Sequence, residues 1–292
     1  MYSIRLSGIE LRDPFVIASG IVPDVPEYMA RVCQEFSPSA ITTKTFTLNP
    51  LEPHKPPTLV KISDGCFLNA IGLGNPGIKV MGSMEVPCNL FVSVGGSSLE
   101  EIVETAIIGE GKASLIEINL SSPNRRGYGA DTAKFVREIV KEVKGKVRKP
   151  IFVKLGPWDN VVDLAGKALE GGADGLTLIN TVKGMKLDVD AGKPVLSYGT
   201  GGVSGRCIHP LAVRVIGEVY SEYSAQIIGT GGVFSWEDAM ELFLAGATAV
   251  GVGSAILERG FEVLNELRVG LTAFMEEKGI NLSDVIGMAV RK

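Results

Sequence analysis

The feature that most constrains the fold is a regular alternation of short apolar runs with longer segments of helical periodicity. Each apolar run is bounded by Gly, Pro, Asn or Ser, which is typical of strands buried on both faces of a parallel sheet. The pattern predicts strands over residues 15–18, 40–44, 90–94, 115–120, 151–155, 175–179, 226–229 and 249–252. It predicts helices between them, including residues 99–109, 132–143, 161–169, 210–220 and 236–245.

Eight strands separated by helices predict a (β/α)8 TIM barrel, which typically takes about 250 residues. The chain has 292 residues, and no linker, repeat or low-complexity segment divides it, so we expect one domain over residues 1–292. A doubly wound sheet shows a similar alternation, so the pattern alone leaves that fold open. Residues 3–6 and 9–11 flank Ser7-Gly8 and predict an N-terminal β-hairpin that covers the bottom of the barrel.

Two connections, residues 45–87 and 181–206, are too long for plain strand-to-helix loops. Long ordered insertions at the carboxyl ends of barrel strands usually build the active site. We therefore expect both insertions to lie over the C-terminal face of the barrel.

Composition excludes several classes of protein. The net charge of −4, from 29 basic and 33 acidic residues, argues against a nucleic-acid partner. No run of about 18 apolar residues predicts a membrane span, and residues 1–14 lack the pattern of a signal peptide. The four cysteines have no metal-binding spacing, and no other metal motif is evident. Because this composition needs no disulfide, we expect reduced cysteines and a cytoplasmic location.

Polar residues and glycines follow the predicted strands, where barrel enzymes carry their functional groups. The turns GTGG (229–232) and GVGS (251–254) follow the last two strands and predict a phosphate site, although either alone could be a plain tight turn. Lys44 and Lys154 end two strands and favour an anionic ligand, with a Schiff-base lysine as an alternative. Asn69, Asn119, Asn124 and Asn180 suit a flat ligand rich in hydrogen-bonding groups.

These residues belong to an ordered set of motifs. The set comprises ASG (18–20), TKT (43–45), NAIGLGNPG (69–77), NLSSPN (119–124), LTLINT (176–181), TGGVSG (200–205) and GTGGV (229–233). Each motif is weak by itself, but together they resemble the signature of the dihydroorotate dehydrogenase family over nearly the whole chain. The resemblance implies an FMN-bearing barrel that oxidises (S)-dihydroorotate to orotate in pyrimidine synthesis.

The resemblance also implies roles for individual residues. Lys44 resembles the lysine that touches both substrate and flavin, and Lys154 resembles the lysine near flavin N1. The expected substrate contacts are Lys44, Asn69, Ala70, Ile71, Gly72, Leu73, Asn119, Asn124, Asn180 and Thr181. The expected FMN contacts are Ala18, Ser19, Gly20, Lys44, Thr45, Ser93, Asn119, Lys154, Ile179, Gly205, Gly231, Gly232, Gly253 and Ser254.

Ser122 resembles the family's catalytic base by its place in NLSSPN, removing the C5 proton while the C6 hydride passes to flavin N5. A serine hydroxyl is a poor base and needs a relay through water, Thr45 or Ser121. The chain departs from the family pattern here, because soluble members usually carry cysteine at this position. Serine is typical of membrane-associated members, whose N-terminal extension this chain does not show. The electron acceptor is therefore open between NAD, fumarate and quinone.

Two other enzyme classes compete with this interpretation. A tRNA-dihydrouridine synthase is also an FMN barrel, but its tRNA surface and usual cysteine acid fit neither the net charge nor Ser122. A non-redox aldolase or isomerase barrel would use Lys154 as a Schiff base. Within the resembling family, partners include a second copy of the chain and a separate FAD and iron–sulfur subunit. His209 and Arg125-Arg126 are interpreted as structural or solvent-facing.

Overall fold

The computed structural model describes residues 2–122 and 133–291. In chain order the strands are β1 (Ile4–Leu6), β2 (Ile9–Leu11), β3 (Phe15–Ile17), β4 (Ala40–Thr42), β5 (Leu59–Ser63), β6 (Cys66–Asn69), β7 (Asn89–Val94), β8 (Leu115–Asn119), β9 (Ile151–Leu155), β10 (Gly175–Leu178), β11 (Val182–Gly184), β12 (Leu187–Asp188), β13 (Lys193–Pro194), β14 (Gly201–Gly205), β15 (Ile227–Thr230) and β16 (Ala249–Val252).

The helices alternate with the strands along the chain. Short 3-10 turns at Ile78–Ser83, Ala133–Phe135 and Arg206–Ile208 stand between these elements. They are α1 (Pro26–Phe36), α2 (Leu99–Glu110), α3 (Val136–Lys144), α4 (Val161–Glu170), α5 (His209–Tyr223), α6 (Trp236–Ala245), α7 (Ser254–Arg259), α8 (Val263–Lys278) and α9 (Leu282–Val285).

Eight of the strands form a closed parallel barrel in the order β3-β4-β7-β8-β9-β10-β15-β16. The last strand returns to the first, where β16 pairs with β3 and Val250 lies opposite Phe15. The predicted (β/α)8 barrel is confirmed, and each predicted strand boundary agrees with the structure to within two residues. The sequence succeeded because both faces of these strands are buried, which requires the continuous apolar runs.

The helices α2 to α6 coincide with the five predicted helical segments, with one difference. The segment 132–143 was expected as one helix, but residues 133–135 form a 3-10 turn and α3 begins only at Val136. The start of α6 follows the predicted cap, because the Ser235 hydroxyl accepts from the Asp238 N–H and the Asp238 carboxylate accepts from the Ser235 N–H.

The N-terminal hairpin closes the bottom of the barrel, as predicted. Strands β1 and β2 pair across the turn at Ser7 and Gly8, both of which have positive φ angles. Leu6 and Leu11 pack on the apolar lower layer of the barrel interior, which comprises Val16, Ala40, Phe91, Leu115, Phe152, Ile228 and Ala249. The polar residues of the interior therefore lie toward the opposite, C-terminal end.

The two long insertions join each other above the C-terminal rim. Strands β5 and β6 from the first insertion pair with β14 and β11 from the second, in the antiparallel order β11-β14-β6-β5. We call these four strands the insertion sheet. Its central pairing places Asn69 of β6 opposite Gly202 of β14. The expectation that both insertions lie over the same face is therefore met.

The expectation of four reduced cysteines is wrong for one pair. Cys33 on α1 and Cys88, just before β7, form a disulfide across a sequence separation of 55 residues. Strands β4 and β7 are neighbours in the barrel, so the helix that leads into β4 packs beside the start of β7. Their Cα atoms are 5.8 Å apart, within the usual range for a disulfide. Cys66 and Cys207 are free.

None of the helices within residues 2–122 and 133–291 is both long enough and apolar enough to cross a membrane.

Removing the Cys33–Cys88 disulfide should destabilise the fold. Loop-closure entropy for a 55-residue separation gives about 4 kcal/mol of stabilisation. We expect Cys33→Ser/Cys88→Ser to lower the free energy of unfolding by up to this amount in non-reducing denaturant titrations. Reductant should lower the wild-type value to that of the variant and leave the variant unchanged. Equal stability of the two proteins without reductant would contradict the disulfide's contribution.

Candidate active site

One cleft lies between the C-terminal rim of the barrel and the insertion sheet. Residues from most of the barrel strand ends and from both insertions line it, so it depends on closure of the barrel. The lining residues are Ala18, Ser19, Gly20, Ile21, Lys44, Thr45, Leu59, Asn69, Ile71, Gly72, Leu73, Asn119, Ser122, Lys154, Ile179, Asn180, Thr181, Ser204, Gly205, Ile208, Thr230, Gly231, Gly232, Val233, Gly251, Gly253, Ser254 and Leu257.

This lining contains every site residue expected from the sequence except three. Ala70 is buried behind the wall, where its carbonyl oxygen lies 3.0 Å from Nδ1 of His54. Ser93 lies beneath the cleft, inside the barrel. Asn124 lies outside the described residues. Ile21, Leu59 and Leu257 are among the lining residues that sequence reasoning did not identify, because apolar contacts carry no local motif.

Two lysines bring positive charge to the floor of the cleft. Lys154 is buried, and Lys44 donates from Nζ to the carbonyl oxygen of Gly72 at 3.2 Å. Burial lowers the pKa of Lys44, the nearby charge of Asp24 raises it and the charge of Lys154 lowers it further, leaving the pKa below its ordinary value. Two ammonium groups in one cleft, that of Lys154 buried and that of Lys44 half-buried, favour an anionic or electron-rich ligand.

Asp24 supports Lys44 from behind. Its carboxylate accepts from the Lys44 backbone N–H at 3.1 Å. Burial raises the pKa of Asp24 to about 6, although the hydrogen bond and the charge of Lys44 oppose this shift. Sequence reasoning missed Asp24 because it stands in an irregular segment, 20 residues before its partner.

The amide groups of Asn119 and Asn180 are oriented by neighbouring hydrogen bonds. Asn119 Oδ1 accepts from both the backbone N–H and the hydroxyl of Ser121, at 3.1 and 2.8 Å. Asn180 Nδ2 donates to the Ser121 hydroxyl at 2.8 Å, while its Oδ1 accepts from the Thr181 N–H at 2.7 Å. Asn119 Nδ2 likewise donates once, to Thr45, so within residues 2–122 and 133–291 each amide uses one of its two N–H groups and offers the other to a ligand.

A chain of hydroxyl groups continues from Asn119 into the barrel. Asn119 donates to the Thr45 hydroxyl at 2.8 Å, and the Thr45 hydroxyl lies 3.0 Å from that of Ser93. The Ser93 hydroxyl in turn donates to the Glu117 carboxylate at 3.0 Å. A carboxylate only accepts, so the Thr45 hydroxyl donates to Ser93. The direction of donation therefore runs away from the cleft, and the amides present N–H donors to its interior.

Glu117 is a buried carboxylate that sequence reasoning missed. It stands two residues before Asn119 in β8, on the same inward face of the strand. A charged residue within the apolar run LIEIN was the signal that could have revealed it, since an ionised group rarely occupies a buried strand without a polar partner.

Ser122 lines the cleft and is 6% exposed. It directly follows Ser121, whose hydroxyl group connects Asn119 with Asn180. Its position at the end of β8 puts its hydroxyl in the same cleft as Lys44 and Thr45. The arrangement brings together a hydroxyl group, two cations and several N–H donors.

Glycine turns form the other end of the cleft. Gly205, Gly231 and Gly232 have φ angles of +97°, +149° and +69°, which disfavour other residues. A Cβ on Gly232 would meet the Gly205 carbonyl oxygen at 2.7 Å. In residues 2–122 and 133–291, the backbone N–H groups of Gly231, Gly232, Gly253 and Ser254 donate to no protein acceptor. Such N–H groups at adjacent turns are suited to binding a phosphate.

His209 is a buried neighbour of this turn, so of the two interpretations, structural or solvent-facing, the structural one holds. Its Nδ1 lies 2.7 Å from the Gly231 carbonyl oxygen and therefore donates to it, and Nε2 lies 3.5 Å from the Glu241 carboxylate. The contact fixes the Gly231 peptide from the first turn of α5. His54, the other histidine, packs on Gly72 and stacks on Tyr198 with ring centroids 4.1 Å apart.

The described residues contain no cluster of three or more His, Cys, Asp or Glu side chains arranged to hold a metal ion. The site instead combines glycine turns after the last two barrel strands with lysines, amides and a hydroxyl group at the other strand ends. These features define the class of phosphate-binding (β/α)8-barrel enzymes.

Comparison with known proteins identifies the family. The family model for dihydroorotate dehydrogenase matches residues 1–275. The chain is 57% identical to the catalytic subunit of dihydroorotate dehydrogenase B (NAD(+)) from Saccharolobus solfataricus and 55% identical to the protein of the same name from Sulfolobus acidocaldarius. Each match covers 99% of this chain and 100% of the relative.

The chain therefore belongs to the dihydroorotate dehydrogenase family, and the expected class of oxidoreductase is confirmed. The same match leaves no support for a non-redox barrel or a tRNA-modifying flavoenzyme. The crystal structure of DHODH from Eimeria tenella in complex with ferulenol shares the fold, with a TM-score of 0.86 and 23% identity. The match covers 100% of this chain and 89% of that one.

Replacing Asp24 by asparagine should change how stability depends on pH. Because the pKa of Asp24 is raised from 3.8 to about 6, the folded state binds a proton more tightly than the unfolded state, and stability falls as pH rises through this window. The asparagine side chain would still accept from the Lys44 N–H without the buried charge. We expect Asp24→Asn to match wild type near pH 4 and to exceed it above pH 6, by at most about 3 kcal/mol.

Denaturant titrations of both proteins across this pH range provide the measurement. The difference between them removes the contributions of the titrating groups that do not interact with Asp24. An Asp24→Asn variant less stable than wild type at pH 8 would contradict the raised pKa.

Proposed function

We propose that this chain is the FMN-bearing catalytic subunit that oxidises (S)-dihydroorotate to orotate in pyrimidine (UMP) synthesis. The observation that carries the proposal is one cleft lined by Ser122, Lys44 and the side chains of Asn119 and Asn180, next to a glycine cradle whose N–H groups have no acceptor in the described part of the chain. Membership of the dihydroorotate dehydrogenase family supports the same reaction.

The donors of the cleft fit the acceptors of the substrate. Dihydroorotate carries two ring carbonyl groups and a carboxylate, all of which accept hydrogen bonds. Lys44 and the remaining N–H groups of Asn119 and Asn180 supply donors in fixed directions. We assign Asn69, Asn124, Thr181 and the segment 71–73 to the same ligand, with the backbone of Gly72 and Leu73 meeting the carboxylate; Ala70 lies behind this segment and makes no direct contact.

The residues also fit FMN. Its phosphate would take the N–H groups of Gly231, Gly232, Gly253 and Ser254, at turns where a Cβ on Gly231 or Gly232 would meet neighbouring atoms within 3 Å. The positive charge of Lys154 would hold the electron-rich end of the flavin ring. The remaining FMN contacts that we propose are Ala18, Ser19, Gly20, Lys44, Thr45, Asn119, Ile179 and Gly205. Ser93 lies beneath the cleft and acts only through its hydrogen bond with Thr45.

Oxidation of dihydroorotate removes a proton from C5 and a hydride from C6. FMN supplies the hydride acceptor when it is bound. We assign Ser122 the removal of the C5 proton, while Lys44 and the asparagines hold the ring and exclude water from its face. The proton must pass onward because the serine hydroxyl is a weak base. We assign this relay to water or to the hydroxyl group of Thr45, which lines the cleft, or of Ser121, which precedes Ser122 in the chain.

The names of two relatives bear on where the electrons go after the flavin. The relatives from Saccharolobus and Sulfolobus are named as catalytic subunits of an NAD(+)-linked enzyme. We propose that this chain pairs with an FAD and iron–sulfur subunit that passes electrons to NAD, and that it forms a homodimer. We also propose a cytoplasmic location; the Cys33–Cys88 disulfide is unusual there except in hyperthermophiles.

The visible spectrum of the purified chain tests cofactor and substrate together. We expect flavin absorbance that bleaches when dihydroorotate is added without oxygen. A yellow protein that does not bleach would contradict the substrate, and a colourless protein that cannot be reconstituted with FMN would contradict the cofactor.

Substitution of Ser122 separates chemistry from binding. We expect Ser122→Ala to retain FMN and to slow flavin reduction by dihydroorotate at least about 100-fold, because general base catalysis typically contributes this much. Ser83→Ala is the matched control, since this exposed serine lies outside the cleft. Stopped-flow reduction at saturating substrate gives the rates. A near-normal rate for Ser122→Ala would remove the serine from its role.

The glycine cradle can be tested with two glycines of similar conformation. Gly232 and Gly192 have φ angles of +69° and +62°, but only Gly232 is crowded. We expect Gly232→Ala to weaken FMN binding at least about tenfold, the loss of roughly one good hydrogen bond. Gly192→Ala carries the same backbone strain with open space around it, and should leave the Kd unchanged. Equal effects in fluorescence titrations would contradict the cradle.

The need for a partner subunit can be tested by assaying the purified chain alone. We expect the purified chain to pass electrons from dihydroorotate to an artificial dye but not to NAD+, because we assign NAD use to the partner subunit. Rapid reduction of NAD+ by the chain alone would contradict this assignment.

A further inference from the structure

Two free cysteines meet where the insertion sheet joins the barrel. Cys66 is the first residue of β6, and Cys207 lies in the 3-10 turn after β14. They are 141 residues apart in sequence, yet the Cys207 backbone N–H donates to Cys66 Sγ at 3.1 Å. The contact is independent of the reaction proposed above, because neither cysteine lines the cleft.

The neighbouring backbone holds the pair in place. The Arg206 N–H donates to the Gly65 carbonyl oxygen at 3.0 Å, one residue before each cysteine. A Cβ on Gly205 would clash with that same oxygen, so the two segments are in close contact. The turn that carries Cys207 therefore cannot withdraw from β6 without breaking these contacts.

The two sulfur atoms differ in charge and access. Burial raises the pKa of the Cys66 thiol, but hydrogen bonds from the Cys207 thiol, Ser63 and the Cys207 N–H, with the charge of Arg206, leave the pKa below its ordinary value. Burial and the hydrogen bond to Cys66 raise the pKa of Cys207 to about 11. Cys66 is buried, whereas Cys207 is exposed to solvent.

We propose that Cys66 and Cys207 form a thiol–disulfide exchange site that takes low-molecular-weight or protein disulfides and closes into a reversible Cys66–Cys207 disulfide. The bond would link the insertion sheet to the turn beside Gly205. It differs from the Cys33–Cys88 disulfide, which lies on the side of the barrel between α1 and β7.

The exchange balances with a disulfide RSSR as the oxidant. The Cys66 thiolate takes the Cys207 proton as the accessible Cys207 sulfur attacks one sulfur of RSSR; the expelled thiolate then takes this proton from Cys66 and leaves as RSH. The Cys66 thiolate then attacks the Cys207 sulfur and expels the second thiolate RS⁻. Two electrons pass from the cysteine sulfurs to RSSR, which is reduced to two thiols, and the new bond joins Cys66 to Cys207.

Oxidised glutathione is the probe for the first experiment. The full-length protein is incubated with it, the remaining thiols are alkylated, and peptides are mapped by mass spectrometry without reduction. We expect a linked pair of peptides containing Cys66 and Cys207, with the loss of both alkylatable thiols and full recovery after dithiothreitol. Glutathione retained on Cys207 as the end product, or alkylation of both cysteines, would overturn the proposal.

Single substitutions separate the two steps. In Cys66→Ser, Cys207 should accumulate the mixed disulfide with glutathione, because no second thiol can expel it. In Cys207→Ser, the buried Cys66 should remain unmodified. If Cys66→Ser shows no more mixed disulfide than wild type, Cys66 does not resolve the intermediate and the proposal fails. The Cys33–Cys88 peptide pair in each sample reports that the variant has folded.

Discussion

The parallel pairing of β16 with β3 is the contact on which the rest of the structure depends. It closes the sheet, so all eight carboxyl ends of the strands face one rim. Without closure, the glycine turns after β15 and β16 would lie at one edge of an open sheet, far from Lys44 at the end of β4. Closure is stabilised from below by the apolar layer on which Leu6 and Leu11 pack.

The cleft itself depends on a second long-range pairing, between β6 and β14. Each strand belongs to an insertion that leaves the barrel at a different point, and neither would be stable as an isolated hairpin over the rim. Together they form the insertion sheet, which covers the cleft with Asn69 and Gly205. Gly201 and Gly205 lie tightly against backbone oxygens and Gly202 against the Thr181 side chain, which explains why glycine recurs in β14.

The electrostatics of the cleft follow from how the donors are oriented. Glu117 only accepts, and it lies at the inner end of the chain that runs through Ser93 and Thr45 to Asn119. Ser121 orients Asn119 and Asn180 from the other side. The result is a set of N–H groups and lysines directed at one volume, which suits a ligand that mainly accepts hydrogen bonds.

The sequence by itself determined the alternation of buried strands and helices, the strand boundaries and the glycine turns, because these depend on local periodicity and on residues with special backbone freedom. Closure into a barrel was decided by the tertiary structure, because the same alternation also fits a doubly wound sheet. The sequence also placed most of the residues that line the cleft, since they directly follow buried strands. The partners of Cys33, Glu117 and His209 were decided only by the tertiary structure. Each contact joins segments that are distant in sequence, and such pairs become neighbours only when the barrel closes and the insertions meet above it.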